Sequence, residues 1–395
     1  MKKALILGGG FSGCTMAHLL GREGWDCTIL EKEGVLGGGC RTFFYGGHPY
    51  TKGPRPYYGY SEKIFRWVDS FVKMRRFPHY LLSYVEQDGQ FYAYPIHEDD
   101  IPKMKRSDKI RKELAETDPG KKPEDFEEYW INKVGPTLYE MFVNRYSRKM
   151  WLIDSNKELD TFSWSAKDKV IESGSKECYK GSIIAYPVAK DGYNTYFEKT
   201  SAAATVLFNE NVSGIDLKNR TVKISDGTTL KGDVLVSSIP LEELCGGSRG
   251  ELLYAGRDFV VFVLPCRQVF PGDIRFCHYT QDEPYTRIVE YKKLTFHEAE
   301  DTLLVMEFPS KSNKLYPYMI KEQLERAREY LSDLSENVYS IGRLGTYRYS
   351  TIEQTISQCF ATYRKITGKS ADGMEKEFFN LGDLEIIKTR SGSGN

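Results

Sequence analysis

Residues 5 to 38 constrain the fold more than any other stretch of this chain. They run from an apolar strand into a glycine-rich turn, Leu5-Ile6-Leu7-Gly8-Gly9-Gly10-Phe11-Ser12-Gly13, across a helix to a second strand ending in an acid, Thr28-Ile29-Leu30-Glu31, and on to Gly37-Gly38. Gly8, Gly10 and Gly13 fit GxGxxG: the first allows the tight turn, the second lets a pyrophosphate approach the backbone, and the third lets helix pack on strand. The helix N-terminus then faces the phosphates, and Glu31 sits where an acid would hold a ribose hydroxyl pair. Strand, turn, helix, strand and acid in this order predict a dinucleotide-binding βαβ unit; the alternative is a glycine-rich turn in an ordinary parallel sheet.

The chain of 395 residues is long enough for two or three packed domains. Lys plus Arg and Asp plus Glu both total 55, so no overall field favours nucleic acid or anionic lipid, and an anionic ligand has to be held by local cations. The basic run Lys103-Met104-Lys105-Arg106 is too short to change that and reads as a solvated edge. The eight cysteines form no CxxC pair and the six histidines no HExxH, so no metal is expected and the thiols suit a reduced, cytoplasmic protein. No apolar run reaches the roughly 18 residues of a membrane span, and Met1-Lys2-Lys3 leads straight into the first strand.

Periodicity places a crossover helix over 13–24 and a second helix over 61–74 behind a Ser61 cap. Strands over 80–86 and 90–94 flank the hairpin signal Asp88-Gly89, and two or three amphipathic helices lie between Ser107 and Tyr146, separated at Asp118-Pro119-Gly120 and Gly135-Pro136. The pattern weakens from Trp151 to about residue 204. Short strands follow over 204–208, 221–224 and 229–230, and a buried strand over 233–238 returns to the nucleotide sheet. Strands at 259–264, 286–291 and 302–308 suit an antiparallel sheet, followed by a helix at 321–334, a strand at 338–341 and a helix at 351–363.

The expected fold class is α/β: a discontinuous Rossmann-like FAD-binding domain (1–60, about 200–242 and about 336–368), a helical insertion domain (about 61–79 and 100–150), and an antiparallel β-sheet substrate domain (about 80–99, 151–199 and 243–335), with a polar tail over 369–395. Nicotinamide domains usually continue as a second contiguous βαβαβ half. An insertion within the first hundred residues, a late return to the sheet and the second glycine pair six residues past Glu31 favour FAD.

With those residues in place, the chain resembles the UDP-galactopyranose mutases. The resemblance covers the fingerprint, Glu31 to Gly38, Tyr139 to Trp151, Pro284-Tyr285-Thr286-Arg287-Ile288-Val289-Glu290, Tyr316-Pro317, and Gly342-Arg343-Leu344 with Tyr347 and Tyr349. It implies FAD that is active when reduced and acts through N5 as a nucleophile at the anomeric carbon, a UDP-sugar substrate, a homodimer, and a role in cell-surface polysaccharide biosynthesis. It implies that Gly8, Gly10, Phe11, Ser12, Gly13, Glu31, Lys32, Gly38 and Gly39 contact the cofactor from the N-terminal unit. Arg55, Tyr58, Val212, Gly342, Arg343, Thr351 and Ile352 do so from elsewhere, with Gly342 and Arg343 against the FAD phosphates and ribityl chain and Val212 near the adenine. Phe142, Tyr146 and Trp151 match a uridine-stacking pocket, although the i, i+4 pair Phe142 and Tyr146 equally suits a helix core. Arg287, Tyr316 and Tyr349 match the groups that grip the diphosphate, Arg287 otherwise being a strand-surface arginine, and Tyr347 is open to a packing role.

The departures concern the sugar. Gly53-Pro54-Arg55-Pro56-Tyr57-Tyr58-Gly59 stands where the family usually reads Gly-Ala-His-x-Phe-His, so Arg55 and Tyr58 replace two histidines by position. A second family arginine is absent; Ala166 and Lys167 occupy its neighbourhood, and Lys167 could supply the charge as a point cation in a segment that could close over substrate. Ala93 replaces an asparagine, and Ser350-Thr351-Ile352 a Tyr-Asp-Met. The expected activity is therefore a mutase for a nucleotide sugar other than UDP-galactose, against two alternatives: an FAD-dependent oxidoreductase of amine-oxidase-like fold, and a catalytically inactive nucleotide-sugar-binding paralogue.

Overall fold

A computed structural model describes residues 1–118, 120–160 and 173–369. Its nucleotide sheet has five parallel strands in the order Thr205–Phe208, Asp26–Glu31, Lys3–Leu7, Val234–Ser237, Val338–Ser340. The two central strands are apolar and buried on both faces, as parallel strands covered by helices must be. Helix Phe11–Gly21 packs between two others, Asn194–Ser201 and Ile352–Thr367. The last helix begins where Thr351 and Gln354 form a capping box, which satisfies two otherwise orphaned N–H groups. One sheet thus gathers strands from three distant parts of the chain, the discontinuous Rossmann-like arrangement expected.

A seven-stranded sheet stands beside it in the order Tyr316–Pro317, Tyr254–Leu264, Thr302–Ser310, Arg287–Glu290, Ile274–Tyr279, Tyr80–Val85, Gln90–Tyr94. It is antiparallel except where Ile274–Tyr279 runs parallel to Tyr80–Val85, a pairing between segments too far apart in the chain for a local signal. A further small sheet takes only its central strand, Ile183–Pro187, from the stretch of weak periodicity, and Tyr57–Gly59 and Met74–Arg76 flank it.

The helices over 107–151 carry a separate apolar core around Trp130, Leu138 and Phe142. Gly135 adopts φ 78°, ψ 161° ahead of Pro136, so the run Phe126–Tyr139 kinks there, and a Cβ at 135 would lie 2.9 Å from Glu113 Cβ. A π-helical turn over Glu140–Asn144 follows before the helix Arg145–Trp151. The extra residue in that turn rotates Tyr146 away from the face occupied by Phe142. Phe142 is buried edge-on against Tyr92, whereas Tyr146 reaches the sheet and its hydroxyl lies 3.0 Å from His278 Nδ1. Among the described residues no helix is long and apolar enough to cross a membrane, and no group of three or more His, Cys, Asp or Glu side chains is placed to hold a metal.

Candidate active site

The glycine turn has the form a bound dinucleotide requires. Gly8 sits at φ 93°, and a Cβ on Gly13 would lie 1.9 Å from the Gly8 carbonyl oxygen, so turn and helix meet at glycine-only distance. Gly10 is different: a Cβ there would meet no atom within 4 Å. The space in front of it is open, the helix start carries no side-chain cap, and no acid occupies its first turn. Glu31 is buried at the rim with Oε2 accepting from Gly9 N at 2.7 Å and Oε1 from Glu33 N at 2.9 Å. Gly38 comes within contact of Gly10, and Gly342, at φ 77°, closes on Ser12 so tightly that a Cβ would lie 2.4 Å from Ser12 Oγ. Phe11 packs edge-on against Tyr193 and Phe197, holding the turn from behind, and Lys32 is exposed. These residues fit a pyrophosphate, with the open face at Gly10 the place for it.

The second glycine segment leads directly to a cationic cluster. Arg55 Nε donates to the Gly39 carbonyl at 2.9 Å and its second arm to Lys52 at 2.8 Å. Tyr316 and Tyr349 stack with ring centroids 5.6 Å apart and planes 10° from parallel. Arg257 lies 5.0 Å and Arg343 5.4 Å from the Tyr316 ring, and Arg343 is 4.4 Å from Tyr349. Arg287 joins them from its strand: in register opposite Glu307, it donates to Glu307 Oε2 at 2.6 Å and rests 5.1 Å over Phe276. Burial alone would push the Tyr316 hydroxyl up, but Arg55, Arg287 and Arg257 reverse this and pull it down to about 8. Tyr349, backed by Arg343 and facing Tyr316, stays raised, chiefly by burial. Burial would also lower Arg287, and the carboxylate of Glu307 with Tyr316 and Tyr146 holds it well above the usual arginine range. Four guanidiniums against one buried carboxylate leave an excess of positive charge, which suits a polyanion.

The expected site residues divide accordingly. Arg287, Tyr316, Tyr349 and Arg55 meet in the cluster. Arg343, expected against cofactor phosphates, turns its guanidinium onto the tyrosine pair and donates to the Ser350 carbonyl at 2.9 Å. Trp151 is buried edge-on against Tyr318 and Phe142 belongs to the helical core, so of the three aromatics matched to a base pocket Tyr146 stands nearest the cluster. Tyr58 lies at the cluster's edge with its hydroxyl 3.0 Å from His79 Nε2. Tyr347 is fully buried and its hydroxyl donates to the Leu253 carbonyl, a packing role. Val212 is half-buried beside the nucleotide sheet, Thr351 caps the last helix and Ile352 packs on the main core. Lys167 lies outside the described residues. Arg257, Glu307, His79 and His278 join the site without having been singled out; a carboxylate inside the apolar run Leu303-Leu304-Val305-Met306-Glu307-Phe308 was the one available signal.

Residues 141–349 match the family profile for UDP-galactopyranose mutase, and residues 6–71 that of the NAD(P)-binding Rossmann-like domain. The chain is 25% identical to the "Probable UDP-galactopyranose mutase" of Klebsiella pneumoniae, covering 96% of this chain and 98% of that one. It is equally 25% identical to the dTDP-fucopyranose mutase of Escherichia coli, covering 91% and 96%. A solved structure of reduced UDP-galactopyranose mutase superposes with a TM-score of 0.79 over 93% of this chain and 96% of that one at 16% identity, which speaks for the fold. With a profile match over more than half its length, spanning the strand of Arg287 and the stacked Tyr316 and Tyr349, this chain belongs to the UDP-galactopyranose mutase family and is an isomerase.

Proposed function

We propose that the protein binds FAD and interconverts the pyranose and furanose forms of a nucleotide sugar. The observation that carries this reading is the juxtaposition of an open pyrophosphate cradle at Gly10 with the arginine–tyrosine cluster, joined through Gly38, Gly39 and Arg55. Gly8, Gly10, Ser12, Gly13, Glu31, Gly38 and Gly342 would hold the cofactor, which in its reduced form supplies a nucleophilic nitrogen at the anomeric carbon. Arg287, Arg257, Tyr316 and Tyr349 neutralise the diphosphate as it departs and keep it close for return, an electrostatic and proximity role. Tyr146 faces the same cluster from the helical side, where its ring can meet the base. Arg55 and Tyr58, in place of the family's histidines, argue for a sugar other than galactose, and the equal likeness to a dTDP-fucopyranose mutase brings dTDP-6-deoxyhexoses alongside UDP-sugars as candidates.

Anaerobic incubation of dithionite-reduced, FAD-loaded protein with UDP- and dTDP-pyranoses, followed by chromatography, should yield a furanose from at least one. No furanose from any, or steady oxygen uptake in its place, would overturn the reading. The cluster also predicts a pH dependence. Below about 8 Tyr316 is a phenol that can donate to a phosphate; above it, a phenolate repels the phosphate and neutralises the guanidiniums. UDP affinity measured by calorimetry is expected to hold below about pH 8 and fall as pH rises through it, and Tyr316→Phe should lose this fall. An unchanged pH profile in the variant would remove Tyr316 from the anion site.

A further inference from the structure

His79 is completely buried on the segment leading into the strand Tyr80–Val85. Its Nε2 is 3.0 Å from the Tyr58 hydroxyl, while Nδ1 has no hydrogen-bond partner among the described residues. Burial, with the Arg275 guanidinium nearby, pushes the imidazole down to about 3, so it is neutral and one nitrogen carries the single proton. Leaving a bare acceptor in an apolar site is less costly than leaving a bare N–H, which assigns the proton to Nε2, donating to the Tyr58 oxygen. The phenol's own proton is then left for another acceptor.

Where that proton can go follows from the surroundings. His79 contacts Phe276 at 5.5 Å, and Arg287 lies over the same ring, so the Tyr58–His79 pair borders the anion-binding cluster. Tyr179 packs edge-on against Tyr58 at 5.4 Å. Burial, with Cys178 and Tyr349 nearby, raises the Tyr58 hydroxyl and outweighs the opposing charges of Arg287 and Arg275, so it rests as a phenol.

Ring interconversion has its own proton inventory. In the pyranose O5 is bonded to C1 and O4 carries a proton; in the furanose O4 is bonded to C1 and O5 carries the proton. The O5–C1 bond breaks with its electron pair going to O5, the O4–C1 bond forms with a pair from O4, and one proton has to pass from O4 to O5 with no net oxidation. We propose that Tyr58 shuttles this proton and that His79, through its Nε2–H, positions the phenol and steadies the transient phenolate. Tyr58 gives its proton to O5 on opening and recovers one from O4 on closure. This rests on the mutase reading above.

The test uses FAD-loaded, dithionite-reduced enzyme with dTDP-fucopyranose and UDP-galactopyranose as probes. Tyr58→Phe should lower kcat by about 10²–10⁴-fold, leave KM nearly unchanged, and abolish the wild type's solvent deuterium isotope effect. His79→Gln, which keeps an N–H donor in place, should fall less, by about tenfold. Independently of turnover, histidine ¹⁵N spectra of the loaded enzyme, with His79 identified by its loss in His79→Gln, should show the neutral Nε2–H form across roughly pH 5–8 and a shift in Tyr58→Phe. Wild-type kcat in Tyr58→Phe, or an Nδ1–H tautomer, would overturn the shuttle while the mutase reading stands. A wild-type enzyme that converts neither probe nor any other nucleotide pyranose would overturn both.

Discussion

Replacing Arg287 with Met is expected to damage stability and nucleotide binding together, and a second substitution should separate the two. The guanidinium pairs at 2.6 Å with Glu307, whose side chain is 1% exposed. Removing one partner leaves a carboxylate buried without its counter-ion, at a cost of about 3–5 kcal/mol. If Arg287 grips the diphosphate as proposed, the same change also deletes a charge-assisted contact worth about 1.5–3 kcal/mol, or roughly 10- to 100-fold in UDP affinity. In Arg287→Met/Glu307→Leu the buried charge is gone and an apolar pair spans the adjacent strands, so thermal stability should return most of the way. UDP affinity should not return. Calorimetric titration with UDP and a thermal melt on the three proteins check this; a double variant that binds UDP like wild type would mean that Arg287 serves only to neutralise Glu307.

The same residues explain what could be read in advance. Glu31 and the glycines were legible because each answers a local demand: a positive φ at Gly8, a close approach at Gly13, a carboxylate one strand away. The hairpin at Asp88-Gly89 and the Ser61 cap are likewise decided within a few residues. The parallel pairing of Ile274–Tyr279 with Tyr80–Val85 answers no local demand, nor does the helix Asn194–Ser201, whose Tyr196 and Phe197 pack on Phe11 of the neighbouring helix, far away in the chain. At the site, Arg287 came from a family block, whereas Arg257 has no such context and acquires its place only because its strand lies next to Thr302–Ser310 and under Tyr316. Phe142 and Tyr146 show the limit of periodicity from the other side. Regular helical spacing puts them on one face, and a single π turn sends them to different partners.

The departure from the family's histidines also reads differently once the chain is folded. Tyr58 alone replaces a titratable ring with a phenol, but the hairpin carries His79 to its hydroxyl, so an imidazole is present at that edge after all, supplied by a different element. Arg55, the other replacement, is held by backbone carbonyls of Gly39 and Lys52 and so adds a fixed charge between the pyrophosphate cradle and the tyrosine pair. Arg55 and Tyr58 from the loop, with His79 from the neighbouring segment, thus set one fixed cation and one neutral pair at this edge, the changed electrostatic pattern on which the proposal of a different sugar rests.

Gly10→Ala should give a protein that folds normally and does not retain FAD. The backbone at Gly10, φ −83° and ψ −165°, is open to alanine, and the new methyl group meets no protein atom within 4 Å. The flavin-free variant should therefore melt at the wild-type temperature or slightly above, since alanine at a compatible position reduces the freedom of the unfolded chain by about 0.4–1 kcal/mol. The methyl nevertheless projects into the open space before the helix N-terminus, where a pyrophosphate would approach the backbone. Gly13→Ala is the control with the opposite signature: its methyl would sit 1.9 Å from the Gly8 carbonyl oxygen and 3.2 Å from Ile6 Cγ2, so turn and helix have to move apart and the flavin-free protein itself should lose stability. Thermal melts of the flavin-free proteins and titration with FAD, followed by its visible absorbance, distinguish the two. Wild-type FAD affinity in Gly10→Ala would place the cofactor's phosphates somewhere other than this turn, and with them the whole alignment of cradle, Arg55 and tyrosine pair on which the mutase reading depends.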